Sequence, residues 1–204
     1  MKHFNFDLYK ESKQYFQLFD VYIKQFEKNK ENVFNKLNIN NSSYRRARDN
    51  EQTVGREIIK KLSDNYDLKI PSDAFIDKLE KVTTRIYNNL YYKVYDTFDD
   101  DSNFIDESLT DKTLMFPVLN LLKLFLIINS NIFPKKVFEE YKELYEEIKK
   151  YKTFLTYELL EIFEIMSLFF EDEYINDGEW VTNYNNPMTY QILASRFYAK
   201  ERYV

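Results

Sequence analysis

Three arginines within four residues carry the strongest chemical signal in the chain. Arg45, Arg46 and Arg48 follow Asn40, Asn41, Ser42 and Ser43, with only Tyr44 between. A guanidinium is planar and permanently charged, and it grips guanine or phosphate through two parallel hydrogen bonds. Asparagine and serine at the start of a helix add short donors and acceptors that reach base edges or phosphate oxygens. The charge distribution supports the same chemistry. Residues 28–61 hold nine Lys and Arg against four acids, net +5, whereas residues 62–204 hold 16 against 26, net −10. A basic island in an acidic chain is the electrostatic footprint of a nucleic-acid-binding module joined to something else. Lys30 is counted with the contact residues. Lys28, Lys36, Arg56, Lys60 and Lys61 are at most phosphate neighbours. A solvated basic helix face is the alternative for the whole cluster.

Other chemistries find less support. Glu158, Glu161 and Glu164 recur every three residues, and Glu139, Glu140, Glu143, Glu146 and Glu147 line the preceding segment. A di-iron bundle needs inward glutamates and Glu-x-x-His pairs, yet the single histidine is His3. These acids read as the wet face of amphipathic helices. Asp99-Asp100-Asp101-Ser102-Asn103 hints at a calcium loop, but Phe104 stands where glycine is needed and Thr110 where glutamate is needed. There is no cysteine, which excludes a disulfide framework and a thiolate metal site. With no nucleophile elbow and no glycine-rich phosphate loop, the chain is expected to be non-enzymatic and to need no cofactor. Asn120, Asn129 and Asn131 lie beside apolar helix faces and are candidates to clamp the backbone of an extended peptide. Tyr184, Asn185, Asn186, Tyr190, Phe197, Tyr198 and Tyr203 can line a ligand groove or a dimer interface, or fill core.

The elements that must position these residues are helices. Glycine occurs twice and proline four times in 204 residues, and long periodic segments fill the rest. Residues 1–11 read as a short lead-in without the apolar run of a signal peptide. A first helix spans 13–27 with a stripe of Phe16, Phe19, Ile23 and Phe26. A second spans 30–37, capped by Asn29, with Val33, Phe34 and Leu37 facing inward. Asn38 is a residue that tolerates the left-handed turn which must follow, and Ile39 plugs back into the core. Asn41 or Ser42 caps a third helix, 43–49, which turns Tyr44 and Ala47 inward and the arginines outward. A fourth, 53–65, is anchored by Val54, Ile58, Ile59 and Leu62. Pro71 breaks the chain, and a domain boundary is placed there. Helices are then expected over 74–95, 112–129, 134–152, 153–172 and 187–199, with polar loops at 97–111 and 176–186. The longest apolar run, 118–129, is interrupted by Lys123 and falls short of the roughly 20 residues that span a bilayer.

The stretch Leu37-Asn38-Ile39-Asn40-Asn41-Ser42-Ser43-Tyr44-Arg45-Arg46-Ala47 resembles the Cro/C1-type (XRE) helix-turn-helix family. There the second helix ends in Leu-Gly. An aliphatic residue and polar residues follow, and an inward apolar residue precedes another by three. The resemblance covers residues 12–68. Two positions depart from it: Asn38 replaces the usual glycine, and the bulky Phe34 replaces a small alanine where the two helices touch. The later helical hairpins resemble a tetratricopeptide-like solenoid in architecture, without its consensus. The combination is similar to the Rgg/PlcR-type regulators of Gram-positive bacteria, whose helical domains are longer.

The resulting expectation is an all-α protein. Residues 1–70 form a helix-turn-helix DNA-binding domain, and 71–204 a helical, TPR-like sensor and dimerisation domain. The resemblance implies a cytoplasmic transcriptional regulator that binds double-stranded DNA as a homodimer, answers to a short peptide or a partner protein, and has no membrane partner. The rival is a helical protein–protein interaction module whose helix-turn-helix does not bind DNA, a reading that Phe34 favours.

Overall fold

The structure, a computed structural model, describes residues 1–27, 29–49, 52–94, 97–130, 134–171, 188, 189, 191, 192 and 194. Among these residues the fold is all-α. The elements are α1 (Ser12–Phe26), α2 (Lys30–Lys36), α3 (Asn41–Asp49), α4 (Gln52–Tyr66), α5 (Asp73–Tyr92), α6 (Phe98–Thr110), α7 (Phe116–Ser130), α8 (Pro134–Lys150) and α9 (Tyr157–Phe170). Short 3₁₀ turns cover Asp7–Lys10 and Lys152–Phe154. The expected helix over 187–199 and the loop over 176–186 lie largely outside the described residues, as does the side chain of Val54.

α7 is the post of the body. Its apolar residues run all round the helix rather than along one stripe, the pattern of a helix enclosed by others. Val118, Leu119, Leu121, Leu122, Leu124, Phe125, Leu126 and Ile128 are buried. α5, α6, α8 and α9 all pack against it.

The polar stretch expected as a loop over 97–111 is instead α6. Asp99, Asp100 and Asp101 occupy its first turn, where the partial positive charge of a helix N-terminus favours carboxylates. Its inner face carries Asp101, Ile105 and Ser108. Asp101 is buried because Arg85 of α5 holds it in a fork, with Nε at 3.0 and 3.2 Å from the two carboxylate oxygens. Thr97 Oγ1 donates to the same group at 3.1 Å. Ser108 returns its hydroxyl to the Phe104 carbonyl at 2.7 Å. The acidic run is therefore helical, and Asp101 within it is paired.

The lead-in is structural. Phe4, Phe6 and Tyr9 are 4, 0 and 0% exposed. The Tyr9 hydroxyl donates to the Phe154 carbonyl at 3.0 Å and accepts from the Thr156 amide at 3.2 Å. One apolar cluster runs from Phe4 to Ile192 and crosses Pro71 without a break. The connection after α4 is also tied down. Lys69 forms a parallel bridge with Thr113, through Lys69 N–H to Lys112 O and Leu114 N–H to Lys69 O, each 2.9 Å. Asp67 and Lys112 adopt left-handed backbone angles, φ 53 and 50, which turn both strands of chain into this contact.

Arg85→Ala strands a buried carboxylate. It is expected to lower stability by on the order of 3 kcal/mol, read as a fall in the urea midpoint. Arg85→Lys recovers only part of the loss, because an ammonium lacks the fork.

Candidate nucleic-acid interface

The arginine helix is set by a chain of local contacts that starts at Asn29. Its side chain accepts from the Glu31 amide at 2.9 Å and caps α2. α2 ends at Lys36 with Leu37 as its C-cap, and Asn38 takes the left-handed conformation with φ 50. Ile39 N–H then returns to the Phe34 carbonyl at 2.8 Å, and the Ile39 side chain is buried. Asn40, rather than Asn41 or Ser42, caps α3. Its Oδ1 accepts from both the amide and the hydroxyl of Ser42 at 2.8 Å. α3 consequently starts at Asn41, two residues before the expected Ser43.

Tyr44 and Ala47 face inward, at 1 and 4% exposure. Phe34, the misfit with the helix-turn-helix pattern, is buried as a wall for Tyr44. Their ring centroids lie 4.7 Å apart, and Phe16 of α1 closes the third side edge-on at 5.0 Å. A small residue lies behind this aromatic group, on α4. A Cβ on Gly55 of α4 would already touch Phe16 at 3.6 Å and Ala47 at 4.0 Å, so α4 lies close against α1 and α3.

Asp20 of α1 organises the polar side. The Tyr44 hydroxyl donates to Asp20 Oδ1 at 2.9 Å. Burial pushes this hydroxyl up from its ordinary pKa and the Asp20 carboxylate pushes it further, so it remains a donor. Lys30 Nζ donates to the same oxygen at 2.6 Å and stands 4.2 Å from the centre of the Tyr44 ring. Arg48 lies 3.7 Å from the other oxygen, and its Nε donates to Asp49 at 3.0 Å.

The expected contact residues therefore split into two groups. Lys30 and Arg48 are drawn inward by carboxylates. Arg45 and Arg46 are exposed, and neither has an ion-pair partner among the described residues. They share an open cleft of about 750 Å³ with Lys30, Glu31, Asn40, Asn41 and Ser42. Ser43 is half-buried beside it. Arg56 and Lys60 instead line a different cleft of about 390 Å³, with Tyr9, Tyr15, Ile70 and Pro71. Lys36 donates to Asn65 Oδ1 at 2.8 Å. Lys28 lies outside the described residues.

The asparagines proposed as peptide clamps do not come together. Asn120 and Asn129 are nine residues apart on α7, two and a half helical turns, which places them on opposite faces. Asn129 Nδ2 donates to the Phe125 carbonyl of its own helix at 2.7 Å. Asn131 lies outside the described residues, as do Tyr184, Asn185, Asn186, Tyr190, Phe197, Tyr198 and Tyr203. The asparagine that does hold extended backbone is Asn88 of α5, which bonds both the amide and the carbonyl of Lys2. Its signal in the sequence is the four-residue spacing Glu80, Thr84, Asn88 within an otherwise apolar helix face. Asp20 had a signal too, as a lone acid between Phe19 and Val21 on the inward side of α1.

Among the described residues, no group of three or more His, Cys, Asp or Glu side chains is placed to hold a metal ion. None of the described helices is long and apolar enough to cross a membrane. Compared with known proteins, the chain matches no family model, no curated protein and no solved structure.

Asp20→Ala removes the acceptor of a buried hydroxyl and the counter-ion of two cations. Stability is expected to fall by about 1–3 kcal/mol in denaturant unfolding. Asp20→Asn keeps an acceptor for Tyr44 and should lie between the two. Equal stability of Asp20→Ala and the parent would mean that the carboxylate does not organise α3.

Proposed function

We propose that the chain is a DNA-binding transcriptional regulator in which residues 12–68 act as a helix-turn-helix unit and α3 enters the major groove. The observation that carries this reading is the sorting of the basic residues. Arg45 and Arg46 stand exposed, with no ion-pair partner among the described residues, beside Glu31, Asn41 and Ser42 on the rim of one open cleft. Arg48 and Lys30 are spent on positioning the helix that presents them. In this arrangement Arg45 and Arg46 supply the bidentate contacts to guanine or phosphate. Asn41 and Ser42, in the first turn of α3, reach the backbone or base edges. The left-handed Asn38 and the inward Tyr44–Ala47 pair agree with the Cro/C1-type pattern. The body, net −10 over residues 62–204, is repelled by DNA and leaves the basic end to make contact.

Two copies pairing through the helical body would read a pseudo-palindromic site whose half-sites lie about one DNA turn apart. A short peptide or a partner protein that favours one pairing geometry would then shift DNA affinity. The other reading, a protein-docking module, drew its support from Phe34. With that ring seated between Tyr44 and Lys30, bulk at this position no longer argues against a DNA-binding register.

Titration of the full chain against random-sequence duplex at two salt concentrations tests the proposal. Binding should weaken steeply as salt rises. Arg45→Ala/Arg46→Ala should lose about tenfold or more in affinity and lower the salt slope by about two. Arg48→Ala should change the slope less. A folded protein that binds no duplex even at low salt would transfer the assignment to the protein-docking module.

A further inference from the structure

The groove along α5 already holds an extended segment, and it does so with a regular set of contacts. The amides of Lys2, Phe4 and Phe6 donate to Asn88 Oδ1 at 2.9 Å, Thr84 Oγ1 at 3.3 Å and Glu80 Oε2 at 2.8 Å. Asn88 Nδ2 donates back to the Lys2 carbonyl at 2.8 Å. The registers match for a geometric reason. Two residues of extended chain advance about 6.7 Å, and four residues of helix advance about 6 Å. Every second amide of the segment therefore meets every fourth side chain of α5, with the segment antiparallel to the helix.

The side chains follow the same period of two. Phe4 and Phe6 are buried, whereas His3 and Asn5 are exposed. Phe4 meets the Tyr87 ring edge-on at 5.5 Å. The Lys2 ammonium pairs with Glu161 of α9 and stands 5.1 Å from the centre of the Tyr87 ring. The Tyr87 hydroxyl donates to Glu161 at 2.5 Å and fixes that carboxylate. These four backbone contacts all come from side chains of one helix. The contacts therefore hold a main chain, a cation at one end, and aromatic residues two and four positions later.

We propose that the α5–α9 groove is a docking site for an extended segment of another polypeptide with the pattern cation-x-aromatic-x-aromatic, and that residues 2–6 occupy it in cis as a competitor. The tether to α1 holds this competitor at a millimolar-scale effective concentration. An incoming segment binds when it outcompetes the strap or when the strap is released. The inference is independent of the DNA reading, and each can fail without the other.

The test uses the full chain carrying Phe4→Ser/Phe6→Ser, which weakens the strap and leaves the groove intact. The probe is a fluorescein-labelled synthetic peptide, Met-Lys-His-Phe-Asn-Phe amide, followed by anisotropy. Saturable binding to the strap variant is expected, at least about tenfold tighter than to the parent, where the tethered strap competes. Adding Thr84→Val/Asn88→Ala to the strap variant should abolish it, and a scrambled peptide should not bind. A strap variant with parental helix content that does not bind the peptide, or binds it regardless of Thr84 and Asn88, overturns the proposal. Should the strap variant not fold, hydrogen exchange on the parent decides. Amides of residues 2, 4 and 6 opening before those of α5 support a displaceable strap, and exchange only together with α5 overturns it.

Discussion

α1 is apolar on two sides, and everything else is arranged around that fact. On one side Phe16 meets Tyr44 of α3 at 5.0 Å, and Phe19 stacks with Tyr66 of α4 at 6.3 Å. On the other, Tyr15 meets Phe154 at 6.0 Å and Tyr22 meets Phe116 of α7 at 6.1 Å. Removing α1 would expose aromatic surface on the basic unit and on the body together. The polar contacts repeat the bridge. Gln14 donates to the Phe154 carbonyl at 2.7 Å, and Tyr151 donates to Gln25 at 2.5 Å. A helix buried on both sides cannot slide without breaking both sets, so the orientation of α3 is inherited from the core of the body.

The same helix decides which charges are available. Asp20 lies on its flank toward α3 and gathers Tyr44, Lys30 and Arg48. A charge held this way positions its helix but has less to give a ligand. Arg45 and Arg46 are exposed on α3, with no ion-pair partner among the described residues. Arg85 and Asp101 show the structural version of the trade in the body, where a carboxylate 1% exposed is kept inside by a forked guanidinium.

What could be read from the sequence was what local chemistry determines. The left-handed turn at Asn38, the inward Tyr44 and Ala47, the Asn29 cap and the almost wholly apolar α7 each depend on residues within one or two turns. The features that escaped depend on distant partners. α6 resembled a loop because its buried face contains Asp101, whose partner Arg85 lies 16 residues earlier on another helix. The strap resembled a passive lead-in because its acceptors lie 74 to 86 residues away. Phe34 resembled a steric conflict because its seat is made with Tyr44 of α3, which Phe16 of α1 backs in turn. The cap of α3 lies one or two residues before the expected Asn41 or Ser42, since Asn40, Asn41, Ser42 and Ser43 are all competent caps and only the turn geometry selects among them.

The proposed function requires α3 to be a basic reading edge held out by α1, with the body clear of nucleic acid. Amide chemical-shift mapping of the full chain against a short DNA duplex addresses it most directly. The account predicts shifts concentrated on residues 40–46, with the α5, α7 and α9 amides unmoved at saturation. Shifts centred on the body, or none at a protein concentration that saturates a low-salt site, would contradict it.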